Sequence, residues 1–179
     1  MKIFVETERL FLRELTEEDA PGLFELDSDP AVHKYLGNKT VQSIKASEDI
    51  IKHVRKQYEA HGIGRWAVID KTTMDFIGWS GLKYEKNSRD GTNYYDLGYR
   101  LRRKYWGRGI ATETAVEVIK YGFNRLNLPE ICAAAHIENA ASNRILTKVG
   151  FEFIETFEYY GATHNWYKLK NNTCCDGTL

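Results

Sequence analysis

The sequence switches period abruptly at one place, and that switch limits what the chain can become. Tyr94 to Leu101 ("YYDLGYRL") reads as a strand, and from about Gly109 to Arg125 the pattern becomes helical. Between them lies Lys104-Tyr105-Trp106-Gly107-Arg108-Gly109, which sets two glycines where a helix must nucleate. Glycine in a helix interior costs roughly 1 kcal/mol against alanine. A chain that places two of them there has a use for bare backbone.

The remaining elements are read around this junction. "RLFLREL" (Arg9 to Leu15) alternates as a strand, and "TEEDAPGLFEL" follows with Thr16 as a helix N-cap. Ile50, Ile51, Val54 and Tyr58 recur at helical spacing between Ser47 and His61, with Gly62 in the C-cap place. "RWAVID" and "DFIGWSGLKY" are two strands joined by the turn "KTTM", and "EKNSRDGTN", with Asp90-Gly91, is a polar hairpin loop. Leu128-Pro129 ends the helix after the glycine turn. "ICAAAH" then reads as a buried strand, "NAASNRILTKVG" as a helix, and "FEFIET" and "NWYKLK" as closing strands. Early helices, antiparallel strands, then strand–helix–strand–helix–strand predict an α/β (α+β) chain with a mixed sheet, not a doubly wound parallel one. One domain over residues 1–170 and a loose tail over 171–179 account for the length of 179.

Charge and cysteines narrow the function classes. Lysine plus arginine and aspartate plus glutamate both total 25, so no global field draws the chain to nucleic acid or an anionic membrane. The N-terminus turns charged before any apolar run matures, which speaks against a signal peptide or membrane span. Cys132, Cys174 and Cys175 form neither a disulfide framework nor a zinc pattern, and the cytoplasm is the simplest home. His33, His53, His61, His136 and His164 show no metal spacing, so no metal is expected.

A strand, a glycine-bearing turn and a helix N-terminus together make an anion site. The first amides of a helix have no intrahelical partner, and the macrodipole favours negative charge there. Glycines admit a phosphate to the backbone, and Arg108 and Lys104 add charge. The Gly-x-x-x-x-Gly-Lys-Ser/Thr pattern of P-loops is missing, and Thr112 stands where a dinucleotide fingerprint needs its third glycine or alanine. On the glycines alone, a tight turn with no ligand is an equal reading.

The longer pattern separates them. "KYWGRGIATETAVEVIKYGF" followed by "HIENAASNRILTKVGFEFIE" resembles the GNAT superfamily of N-acetyltransferases, and more closely its RimJ/RimL-like branch, which acetylates ribosomal-protein alanines. "ETERLFLRELTEEDA" and "FIGWSGL" match that branch too, so the resemblance runs from about Glu6 to Leu169. It implies a mostly antiparallel sheet of about seven strands flanked by helices, and acetyl-CoA as cosubstrate. The signature Arg/Gln-x-x-Gly-x-Gly/Ala falls on Lys104–Gly109, with lysine in the first place. By that match the amides of Trp106, Gly107, Arg108, Gly109, Ile110, Ala111 and Thr112 would hold the pyrophosphate. Tyr99 and Leu101 would pair through their backbones with the pantetheine arm, as an added strand would. Asn139 would bond the same arm, and it is equally suited to a helix N-cap.

The implied reaction moves acetyl from a thioester to an amine, which must lose a proton while the sulfur gains one. Asp96 stands where relatives often carry a glutamate base; a solvated strand-edge carboxylate is the other reading. Leu146 occupies the place of the tyrosine acid common in the superfamily. In the RimJ/RimL-like branch a serine of the same helix is the proposed substitute, here Ser142, and an ordinary helical serine is the alternative. His136 is either a structural strand-end histidine or a further titratable group of the site. Trp79 is chosen as a cleft wall from Trp66, Trp79, Tyr84, Tyr94, Tyr95, Tyr159 and Tyr160. The expectation is an acetyl-CoA-dependent N-acetyltransferase acting on a peptide or small-molecule amine, as monomer or homodimer. The rival is a coenzyme A-binding module without catalysis.

Overall fold

The computed structural model describes residues 2–89, 91–159 and 161–172. Asp90, Tyr160, Cys174, Cys175 and all but the first two residues of the expected tail therefore lie outside the described residues. In chain order the elements are β1 (Ile3–Glu6), β2 (Leu10–Arg13), α1 (Ala20–Ser28), α2 (Pro30–His33), α3 (Ile44–His61), β3 (Arg65–Asp70), β4 (Phe76–Arg89) and β5 (Thr92–Leu101). Then come α4 (Ile110–Asn124), β6 (Glu130–His136), α5 (Ala140–Lys148), β7 (Glu152–Tyr159) and β8 (Ala162–Lys170).

Local chemistry accounts for most of these boundaries. Ser43 opens α3 by accepting from the Ala46 amide at 3.2 Å, and Gly62 closes it at φ 67°, the left-handed value glycine adopts freely. The buried run Ile131–Ala133 makes β6 a strand covered on both faces. Thr16 caps a short 3-10 turn, Glu17–Asp19, that leads into α1; its amide donates to Asp19 Oδ2 at 2.8 Å.

Among the described residues, eight strands form one sheet in the order β1-β2-β3-β4-β5-β6-β8-β7. The eighth, beyond the seven expected, is β1. It is held by pairing with β2 and by Phe4 stacking 4.5 Å from Trp66, a contact far apart in sequence. The expected polar loop over 85–93 is mostly strand: β4 runs to Arg89 and β5 begins at Thr92. All neighbours are antiparallel except β5 and β6, which run parallel with one registered pair, Asp96 and Cys132.

Helices cover both faces. On one, α4 and α5 seal a core containing Leu82, Leu97, Leu101, Val118, Ile131 and Leu146. On the other, α1 and α3 pack over Phe11, Ala67, Ile69 and Phe76. Asn171, placed in the tail by the sequence, is buried, with its amide donating to the Pro129 carbonyl at 2.9 Å. Among the described residues no helix is long and apolar enough to cross a membrane.

Candidate active site

The site begins where the sheet splits. The Arg102 amide donates to the Ile77 carbonyl at 2.9 Å, which sets the alternation along β5. With Arg100 opposite Trp79 and Gly98 opposite Gly81, every second residue faces β4. Tyr99 and Leu101 therefore turn their backbone groups the other way, toward β6. Because β6 leaves after the Asp96–Cys132 pair, those groups border a gap. The gap opens into a cleft of about 860 Å³ that is also lined by the first turns of α4 and α5 and by the segment after α2.

At one end of the gap stands the glycine turn. Gly107 and Gly109 have φ of 73° and 74°, in the left-handed region. A Cβ at Gly107 would meet nothing within 4 Å, and one at Gly109 only Arg9 Nη2 at 3.9 Å. Crowding by the protein does not require these glycines; the turn conformation does, and it leaves room for a ligand against bare backbone. Helix α4 has no side-chain cap, and the first amide to find a helical partner is Glu113, bonded to the Gly109 carbonyl at 3.0 Å. The amides of Ile110, Ala111 and Thr112 have no hydrogen-bond partner among the described residues and lie at the positive end of the dipole. The Trp106 amide, expected in the cradle, is bonded to the Arg103 carbonyl at 3.0 Å. The Trp106 indole also donates to the Leu101 carbonyl at 2.7 Å, which takes one of that oxygen's two lone pairs. Of the two expected cations, Arg108 lies over the Tyr105 ring and Lys104 stands 3.7 Å from Asp75.

Sequence reading missed a support for this turn. Arg9 donates to the Arg108 carbonyl at 2.9 Å and to Glu113 at 2.8 Å, tying the turn to the start of β2. It also pairs with the one carboxylate in the first turn of α4. A lone arginine a hundred residues away carries no local signal of such a role.

Helix α5 brings the polar groups on the α4 side. Asn139 caps it, its Oδ1 accepting from the Ser142 amide at 3.1 Å, so the capping reading is realised and Nδ2 is left to donate. Ser142 Oγ lies 3.1 Å from the Tyr99 hydroxyl. Burial pushes the Tyr99 phenol up to about 12, against the opposing pull of its bond to Ser142, so it remains a neutral O–H donor near neutral pH. Tyr99 was expected to act through its backbone; the phenol is an addition from the tertiary structure. Leu146 is buried in the core beneath.

The other face of β5 carries Asp96, Gly98 and Arg100. Arg65 donates to the Asp96 carboxylate and to its carbonyl, so this acid is half committed to a guanidinium. Burial raises the ionisation of Asp96 above the usual carboxylate value, with Arg65 opposing the shift. Arg100 Nη1 donates at 2.6 Å to Asp27, a buried carboxylate that also meets His33 Nε2 at 3.3 Å. Two guanidinium groups lie over the Trp79 ring, Arg65 at 5.3 Å and Arg100 at 5.1 Å, and Trp79 lines the cleft as expected. Of the other aromatics weighed with it, Trp66 is core, and Tyr84 and Tyr95 pack on each other. Tyr35, not singled out, lines the cleft against His136.

A sheet opened between two parallel strands, beside an uncapped helix N-terminus, offers free backbone groups next to a helix end that favours negative charge. The chain belongs to the acetyltransferase (GNAT) domain family, whose model matches residues 9–152. It is 34% identical over 151 residues to the uncharacterized N-acetyltransferase YoaA of Bacillus subtilis (strain 168), covering 83% of this chain and 82% of that one. Its fold matches the ribosomal-protein-S5-alanine acetyltransferase of Vibrio fischeri with a TM-score of 0.77 at 19% identity, over 96% of this chain and 98% of that one. A spermidine N-acetyltransferase of Vibrio cholerae, solved with CoA and spermine, matches with a TM-score of 0.74 at 18% identity, over 92% and 96%. The chain is thus an enzyme of the N-acetyltransferase class, and the non-catalytic alternative falls away. Among the described residues no cluster of three metal-binding side chains occurs.

Proposed function

We propose that this enzyme transfers acetyl from acetyl-CoA to a primary amine of a peptide or small molecule by direct attack in a ternary complex, within one domain spanning residues 1–170. The observation that carries the reading is the parting of β5 from β6 beside the open amides of α4. Gly107 to Thr112, with Arg108, take the pyrophosphate. Tyr99 and the Leu101 N–H pair with the pantetheine arm, and Asn139 Nδ2 donates to it. Ser142, in contact with the Tyr99 hydroxyl, gives a proton to the leaving sulfur. Asp96 lies on the opposite face of β5, where the amine enters.

The acceptor is an α-amine before a lysine side chain or a polyamine. An α-amine, with a reference ionisation near 8, is already partly neutral at pH 7, whereas a lysine near 10.4 needs a stronger base. A polyamine also brings further ammonium groups that need carboxylates. Asp96, the one acid lining the cleft among the described residues, is bonded to Arg65. An acceptor panel read by coenzyme A release tests this: the reading fails if no primary amine is acetylated by protein that binds acetyl-CoA.

A further inference from the structure

Two imidazoles on the acceptor face have no task in the reading above. His136 ends β6, and His164 is its registered partner on β8, with ring centroids 5.3 Å apart. Both line the cleft. By the alternation of β6 they share the face of Cys132 and Ala134, opposite the core side of Ala133 and Ala135.

Their hydrogen bonds select different tautomers. His164 Nδ1 lies 2.9 Å from the Ala162 carbonyl, which can only accept. Nδ1 therefore carries the hydrogen, and in the neutral ring Nε2 holds a lone pair. At His136 the order is reversed, because the Glu138 amide donates to Nδ1 at 3.1 Å. Its lone pair is thereby used, and Nε2 of that neutral ring is a donor. His164 Nε2 has no hydrogen-bond partner among the described residues, in contrast to Asp96, which is held by Arg65.

We propose that His164 is the general base of the reaction, an assignment that rests on the acetyl-transfer reading. Nε2 takes a proton from the acceptor's ammonium, directly or through one water. The freed amine forms a C–N bond to the acetyl carbon as the C–S bond breaks. The nitrogen then loses a second proton and the sulfur gains one, so the products are amide and thiol. The first proton remains on His164 until solvent removes it. The ring is packed by His136 from β6 and by Phe157 and Tyr159 from β7, and Tyr35 in turn packs on His136. Glu158 accepts from Thr163 next to it; among the described residues neither a carboxylate nor a cation is bonded to the ring.

His164→Asn keeps a donor for the Ala162 carbonyl and removes the lone pair. It should lower kcat/KM about 10²-fold, the low end for general base catalysis, and abolish the acid limb of the pH–rate profile. Acetyl-CoA affinity by calorimetry should stay unchanged, and added imidazole should restore part of the rate to His164→Ala. A His164→Asn enzyme within twofold of wild type, with the same pH profile, overturns the assignment while leaving acetyl transfer intact. Loss of acetyl-CoA binding in the variant would assign His164 to the fold and overturn it as well. Wild-type protein that binds acetyl-CoA and acetylates no amine overturns both readings.

Discussion

The hydroxyls of Tyr99 and Ser142 stand 3.1 Å apart, joining β5 to α5 across one side of the cleft. A phenol and a serine in contact form a short donor chain in a partly buried setting, where such bonds act more strongly than in water.

Removing either end should slow the chemistry and spare binding. Ser142→Ala is expected to reduce kcat about 10-fold or more, and Tyr99→Phe by a smaller factor, with acetyl-CoA affinity held. Steady-state kinetics beside calorimetry check the split. Wild-type turnover in Ser142→Ala would remove the serine from the mechanism.

Gly109→Asp addresses the phosphate end. The new Cβ sits at φ 74° and its charge faces the open α4 amides, while Arg9 nearby is already paired with Glu113. Acetyl-CoA binding should weaken about 10- to 100-fold, equivalent to about 1.4–2.7 kcal/mol. Unchanged affinity in a folded variant would remove the turn from the binding site.

Asp96 makes a prediction about pH. Its ionisation is raised in the folded state by burial, so across the window above about 3.9 the folded chain holds more protons than the unfolded one. Stability tied to this group is present below the window and is lost as pH rises through the folded value. Denaturant titrations should show wild type losing stability relative to Asp96→Asn as pH rises from about 4 toward neutrality. The same variant should keep most of its turnover with an α-amine acceptor; complete inactivation would instead make the carboxylate essential.

Acceptor preference is the last test. At equal pH, kcat/KM for an α-amino peptide should exceed that for a matched blocked peptide with one lysine, and spermidine should be poorer than either. Faster spermidine turnover would require free carboxylates, whereas Asp96, the one acid lining the cleft among the described residues, is paired with Arg65.

What could be read without coordinates was local. The period change at Leu101–Gly109, the left-handed turn at Gly107 and Gly109, and the Asn139 cap three residues before Ser142 all depend on neighbours within one helical turn. Backbone sterics, unpaired helix amides and apolar spacing act at that range, so the glycine turn and most elements are legible in the string of residues. The side-chain surroundings of the cleft are not. Arg65 meets Asp96 and Arg100 meets Asp27 across 31 and 73 residues, and Tyr99 reaches Ser142 across 43. His136 meets His164 because β8 inserts between β6 and β7, and β1 holds its place by pairing with β2 and packing Phe4 on Trp66. No local propensity encodes strand order, or the parting of β5 from β6 after one registered pair. Those follow from burying two apolar sheet faces under two helix layers at once, a condition that exists only when the whole chain is assembled.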